Sequence, residues 1–114
     1  MADDGRRGPR TGRLMRRGEI WTVSRLGHPK PRPAVVMSVN AWNTHAPYVI
    51  LIPLTTKPGP SRPPVKHASL KTASYAKCGS VSAIPKSRLA RRIGELDAGV
   101  MAGIERELRR LLGV

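Results

Sequence analysis

The sequence predicts a mainly β domain with a C-terminal helix, its strands forming a small, strongly bent antiparallel sheet or partly open barrel. Three observations carry this. The apolar runs are short, of strand length, and Gly and Pro breakers separate them. Only the last segment has the spacing of an amphipathic helix. The length, 114 residues, allows one core and not two.

Taken in order, "GEIWTVS" (Gly18 to Ser24) alternates partly and is rich in β-branched and aromatic residues, as a first strand should be. "RLGHPKP" (Arg25 to Pro31) is a loop. "AVVMSV" (Ala34 to Val39) is a continuous apolar run between turn signals, so a buried strand. "NAWNTHAP" reads as a helical turn or an irregular loop. "YVILIPL" (Tyr48 to Leu54) is the most apolar run and predicts the central strand. Pro53 lies near its end, where a lost ladder hydrogen bond costs least. "TTKPGPSRPP" (Thr55 to Pro64) has too many prolines to be regular. "VKHASL" (Val65 to Leu70) predicts an edge strand, "KTASYAK" a loop, and "CGSVSAI" (Cys78 to Ile84) another strand. "PKSRLARRIGEL" holds a turn and a short strand around Ile93. In the last segment Asp97 is the expected N-cap. Val100, Met101, Ile104, Leu108, Leu111 and Leu112 fall on one face, Arg109 and Arg110 suit the negative end of the dipole, and Gly113 is the stop.

Charge narrows the function. There are 21 Lys and Arg against 7 Asp and Glu, a net +14. Such a chain attracts polyanions, nucleic acid first, an acidic protein segment second and an anionic membrane surface third. The basic residues form no single amphipathic basic helix, which weakens the membrane reading, and no apolar run is long enough to cross a bilayer. Residues 1–17 carry Gly, Pro and Arg without apolar periodicity. They predict a disordered basic arm preceding a domain over residues 18–114. That arm has no apolar segment of the secretory kind, and Cys78 is the only cysteine, so a cytoplasmic protein without disulfides is expected. The few carboxylates are scattered, which excludes a two-metal nuclease. His28, His45, His67 and Cys78 lack ligand-like spacing, which excludes a zinc site. No metal or other cofactor is expected.

Arg32 stands between Pro31 and Pro33 at the start of a buried strand. It reads either as a surface arginine in a basic loop or as a guanidinium fork held by a stiffened, anchored backbone. Thr55 and Thr56 end the central strand, and an arginine fork beside threonine hydroxyls suits a phosphate. His28 is either a solvated loop histidine or a base of suitable pKa. Lys57 and Lys77 are placed to hold flanking phosphates. Trp42 either stacks a base or packs in the core. His67 reads as structural or exposed, and His45 stays open.

From Arg17 onward the chain resembles the MazF/PemK (Kid-like) toxins of bacterial toxin–antitoxin systems. The resemblance rests on "RRGEIW", "RPAVVMSVNAWN", "VILIPLTT", "KSRLARRIGEL" and "MAGIERELRRLLGV", in that order. It implies an SH3-like or CcdB-like barrel, a homodimer and a sequence-selective, metal-independent endoribonuclease. An acidic antitoxin segment would inhibit it by filling the RNA groove. By the same resemblance the catalytic arginine falls on Arg32 and the catalytic threonine on Thr55, with Gly27 and His28 matching a Gly-His pair of some members. The RNA contacts expected are Lys57, Lys77, Trp42, Asn43, Ser80 and Arg88. The chain departs from the family in its short loop before Pro29, in Val39 where an Asn is usual, and in "CGSVSA" where an acid and an arginine are common.

The chemistry expected is attack by the RNA 2′-OH on phosphorus, giving a 2′,3′-cyclic phosphate and a 5′-hydroxyl. Arg32 would stabilise the phosphate and serve as a proton source, Thr55 would donate to a non-bridging oxygen, and His28 would be the base. The alternative is a non-cleaving relative of the same fold that binds nucleic acid or poisons gyrase. The absence of a C-terminal Trp argues against gyrase poisoning.

Overall fold

The structure, a computed structural model, describes residues 14–24 and 29–114. Among them are seven strands: β1 (Glu19–Val23), β2 (Arg32–Val36), β3 (Tyr48–Thr55), β4 (Pro64–Val65), β5 (Ser74–Ala76), β6 (Ser82–Pro85) and β7 (Leu89–Glu95). A short helix α1 (Asn40–His45) separates β2 from β3, and a longer one, α2 (Ala98–Leu112), ends the chain. All strand pairings are antiparallel, in the order β4-β5-β3-β2-β1-β7. β3 is the hub. Its first half pairs β6 from Tyr48↔Pro85 to Leu51↔Ser82, its end pairs β5 at Leu54↔Ala76 and Thr55↔Tyr75, and β2 also pairs it. The β1–β7 ladder slips between Ile20 and Trp21 and again between Thr22 and Val23. Such slips add bend and twist, which curls the sheet. The expected bent, mainly β fold with a terminal helix is the one observed.

The curled sheet is buried on both faces. Ile20, Val35, Met37 and Ile52 point to one layer, where α2 lays Met101 and Ile104 and the preceding turn adds Leu96. Their neighbours Trp21, Ala34, Val36 and Leu51 point to a second layer with Met15, Val23, Val49 and Leu89. Strand alternation thus feeds two cores, which is why β2 and β3 read as continuous apolar runs. α2 begins as expected, with the Asp97 carboxylate accepting from Val100 N–H at 2.9 Å, and ends at Gly113 in the left-handed region, φ 72°.

Several expectations are corrected. "KTASYAK" contains β5, because its Lys77 N–H and Ala76 register complete the end of β3. The edge strand predicted over Val65 to Leu70 stops at Val65. Cys78–Ser80 is a 3₁₀ turn and the strand starts at Ser82. Leu111 and Leu112 are exposed, since the last turn of α2 runs clear of the core. The basic arm lies mostly outside the described residues, and its last part does not behave as an arm. Met15 is fully buried, and Arg17 pairs with Glu105 at 2.6 Å while its backbone N–H donates to Asn40 at 2.7 Å. No helix among the described residues is long and apolar enough to cross a membrane.

Candidate RNA-binding cleft

The second core layer opens at one end into a cleft of about 580 Å³. Val23, Ala34, Leu51, Pro53 and Ile84 form its apolar floor. Around that floor stand five cationic side chains, Arg32, Lys57, Arg62, Lys77 and Arg88, with the hydroxyls of Thr55, Ser80 and Ser82. No carboxylate lines the cleft among the described residues. Amines, guanidinium groups and hydroxyls with no competing negative charge are the donor set of an anion site.

The pairing of β2 and β3 sets the centre of this cleft. Ala34 stands opposite Pro53 at the end of this ladder, and two residues further along each strand come Arg32 and Thr55, both lining the cleft. Residues two apart along a strand point to one face. That face belongs to Ala34 and Val36, so the two side chains emerge over the open end of the second layer. Arg32 is exposed at the lip while the next residues of β2 are buried, which anchors it. Thr55 Oγ1 accepts the Lys57 N–H at 3.2 Å. That bond fixes the hydroxyl oxygen and leaves its proton to donate outward.

The other walls are held as firmly. Lys77 N–H donates to the Pro53 carbonyl at 2.9 Å, and Ser80 N–H to the Lys77 carbonyl at 2.9 Å. Arg88 Nε donates to the Ser24 carbonyl at 3.1 Å, Ser24 N–H returns a bond to the Arg88 carbonyl, and Leu89 beside it is buried. Arg62, from the irregular Thr55 to Pro64 segment, was not foreseen. The signal was present, because "SRPP" repeats the Arg-Pro pair of "PRPA".

Of the expected site residues, Arg32, Thr55, Lys57, Lys77, Ser80 and Arg88 therefore meet in one cleft. Trp42 and Asn43 do not line it. Asn43 is fully buried on α1, its amide donating to the Ser38 carbonyl at 2.9 Å and its oxygen accepting from Ser38 Oγ. The expected RNA contact is thereby corrected to a brace, because the Ser38 hydroxyl oxygen also takes the Ile50 N–H at 3.0 Å. Trp42, on the same helix, is half-exposed rather than in a core. His45 is exposed at the end of α1. His67 packs against Gly94, its Nδ1 accepting the Ser69 N–H at 3.0 Å. His28 lies outside the described residues.

A second network is centred on a buried carboxylate. Glu19 at the start of β1 accepts from Arg16 N–H at 2.9 Å, the Trp21 indole at 3.0 Å and Arg92 Nε at 2.7 Å. Burial alone would raise its pKa, but these three donors and the Arg92 charge outweigh it and hold the carboxyl below its ordinary value. Cys78 sits in the first layer, where burial, reinforced by the Glu107 charge, pushes its thiol up and away from thiolate chemistry.

The class these features define is a small, curled antiparallel β protein with a terminal helix and a cationic cleft that no carboxylate lines among the described residues. The family of PemK-like, MazF-like toxins of type II toxin–antitoxin systems matches residues 16–112, and this chain belongs to it. A curated relative, the probable endoribonuclease MazF of Mycolicibacterium smegmatis, is 30% identical over 108 residues, covering 88% of this chain and 98% of the relative. Among solved structures, an endoribonuclease in complex with its cognate antitoxin from a Mycobacterial species superposes with a TM-score of 0.75 at 26% identity, covering 89% of this chain and 95% of that one. The MazE–MazF complex of Deinococcus radiodurans superposes at 0.77 with 25% identity, covering 90% and 98%.

Proposed function

We propose that this chain is a sequence-selective, metal-independent endoribonuclease that cuts single-stranded RNA, mRNA foremost. The observation that carries the reading is that Arg32 and Thr55 line one cleft with four further cations and, among the described residues, no carboxylate. RNA brings its own nucleophile, the 2′-OH. Its oxygen bonds to phosphorus as its proton leaves to a base, and the bond to the 5′-oxygen breaks as that oxygen takes up a proton. The products are a 2′,3′-cyclic phosphate and a 5′-hydroxyl. Arg32 neutralises charge on the phosphate as it builds and is placed to supply a proton, and Thr55 donates to a non-bridging oxygen. Arginine is a poor base, since its guanidinium group is not deprotonated in proteins. His28 is assigned that role on its chemistry alone. Lys57, Lys77, Ser80 and Arg88 hold the neighbouring phosphates.

Two partners are proposed with it. One is an antitoxin with an acidic segment complementary to the cationic cleft, as the antitoxin complexes of the relatives support. The other is a second copy of the chain, as the family resemblance implies.

The test is a long RNA incubated with the purified protein in EDTA, with the new ends mapped. Discrete cuts with 5′-hydroxyl ends are expected. RNA left intact with and without EDTA would overturn the reading. Arg32→Ala and Thr55→Ala should each slow cleavage about a hundredfold or more while the fold stays intact. His28→Ala should remove the acidic limb of the pH–rate profile, and an unchanged profile would dismiss it as the base.

A further inference from the structure

A second groove, of about 640 Å³, lies between α2 and the loop that joins β3 to β4. Arg62 lines both it and the cleft, so the two cavities share this residue as a wall. Arg62 is held in place. Its Nη1 donates to the Lys57 carbonyl at 3.0 Å, and its side chain lies against Gly59, where an added Cβ would come within 3.3 Å of Cδ and Nη1. The loop itself is pinned to α2. Ser61, in the left-handed region at φ 58°, accepts from Arg110 Nη2 at 2.9 Å, and Arg110 also pairs with Glu107.

The charge in this groove is unbalanced. Among the described residues Arg62, Lys66 and Arg106 line it against one carboxylate, Glu107, which Arg110 already engages. The α2 side is open, for an added Cβ at Gly103 would meet nothing within 4 Å. A strand bound in the cleft carries a charge on every nucleotide and has a cationic way onward over Arg62.

We propose that the second groove continues the RNA path. A strand whose reacting phosphate lies at Arg32 and Thr55 runs over Arg62 and along α2, its backbone phosphates held by Arg62, Lys66 and Arg106. The inference rests on the RNA reading of the cleft and extends it, because it gives one protomer a footprint longer than the catalytic pair requires.

Gly103 supplies the test. It lines the groove, touches neither proposed catalytic residue and is helical, so a longer residue there should favour the helix. Gly103→Glu and Gly103→Lys place opposite charges in the groove. The probes are uncleavable 2′-O-methyl RNA strands of about four and about twelve nucleotides, followed by fluorescence anisotropy near 0.1 M salt. The long strand should lose about fivefold in affinity with Gly103→Glu and gain with Gly103→Lys, while the short strand stays within about twofold of wild type. Lys66→Ala with Arg106→Ala should weaken the long strand alone. Equal effects on both strands, or none on either, would overturn the proposal. So would unchanged RNA affinity with lost binding of a polyglutamate peptide, which would make the groove a site for acidic protein. If the length-dependent effects appear in a protein that leaves RNA intact, the path stands and the cleavage reading falls.

Discussion

Salt dependence offers a quantitative test of the cleft. Five cations line it: Arg32, Lys57, Arg62, Lys77 and Arg88. If each neutralises one phosphate of a single strand, log K should fall with log salt at a slope of about −3.5, because each contact contributes about 0.7. Raising salt from about 50 to about 200 mM should then weaken binding about a hundredfold. Lys77→Ala is the cleanest perturbation. The backbone N–H of Lys77, not its side chain, anchors this segment to Pro53, so the wall should stay in place. The slope should fall to about −2.8 and the loss over the same range to about fiftyfold. Lys71→Ala is the control, since Lys71 is exposed and does not line the cleft. Anisotropy of an uncleavable strand across a salt series measures both. A wild-type slope shallower than about −1.5, or equal slopes for wild type and Lys77→Ala, would refute the counting of contacts.

Three further perturbations probe the scaffold. Glu19→Gln should cost about 2–3 kcal/mol at neutral pH, because an amide cannot accept all three bonds that the buried carboxylate takes. The folded pKa of Glu19 lies below its ordinary value, so its contribution is complete above about pH 4.3 and disappears as pH falls through the folded value. Wild type should therefore lose more stability on acidification than Glu19→Gln, and parallel melting curves across pH would reject this. Asn43→Ala should cost about 1–3 kcal/mol by leaving the Ser38 groups unpaired, and RNA affinity that falls with no change in urea midpoint would restore Asn43 as a contact. Gly94→Ala should cost about 1–3 kcal/mol, since its Cβ would lie 2.3 Å from His67 Cε1 in a ring pinned by Ser69. Adding His67→Ala should recover most of that loss, and no recovery would place the clash elsewhere.

Particular residues show how far reading alone reaches. That Arg32 and Thr55 would lie at one end of the sheet was legible because each sits where a buried strand meets a polar breaker, and both line the cleft, while β2 and β3 were legible as runs. Arg62 was hidden in a segment with no period, although its Arg-Pro pair repeats that of Arg32. The binding role expected of Asn43 came from the family resemblance, yet its amide donates to the Ser38 carbonyl five residues earlier. Nothing in "KTASYAK" announces β5, whose hydrogen bonds come from the far end of β3.

By itself the sequence determined the net charge of +14, the two longest apolar runs, the capped helix and the proline-flanked start of β2 at Arg32. All of these depend on neighbours within a few residues. Tertiary structure alone decided which strands share β3, that β2 and β3 feed cores on both faces of the sheet, that Leu111 and Leu112 lie outside the core, and that Arg62 lines two grooves. Those outcomes depend on how far the bulged β1–β7 ladder curls the sheet, and curvature arises from contacts between residues remote in the chain.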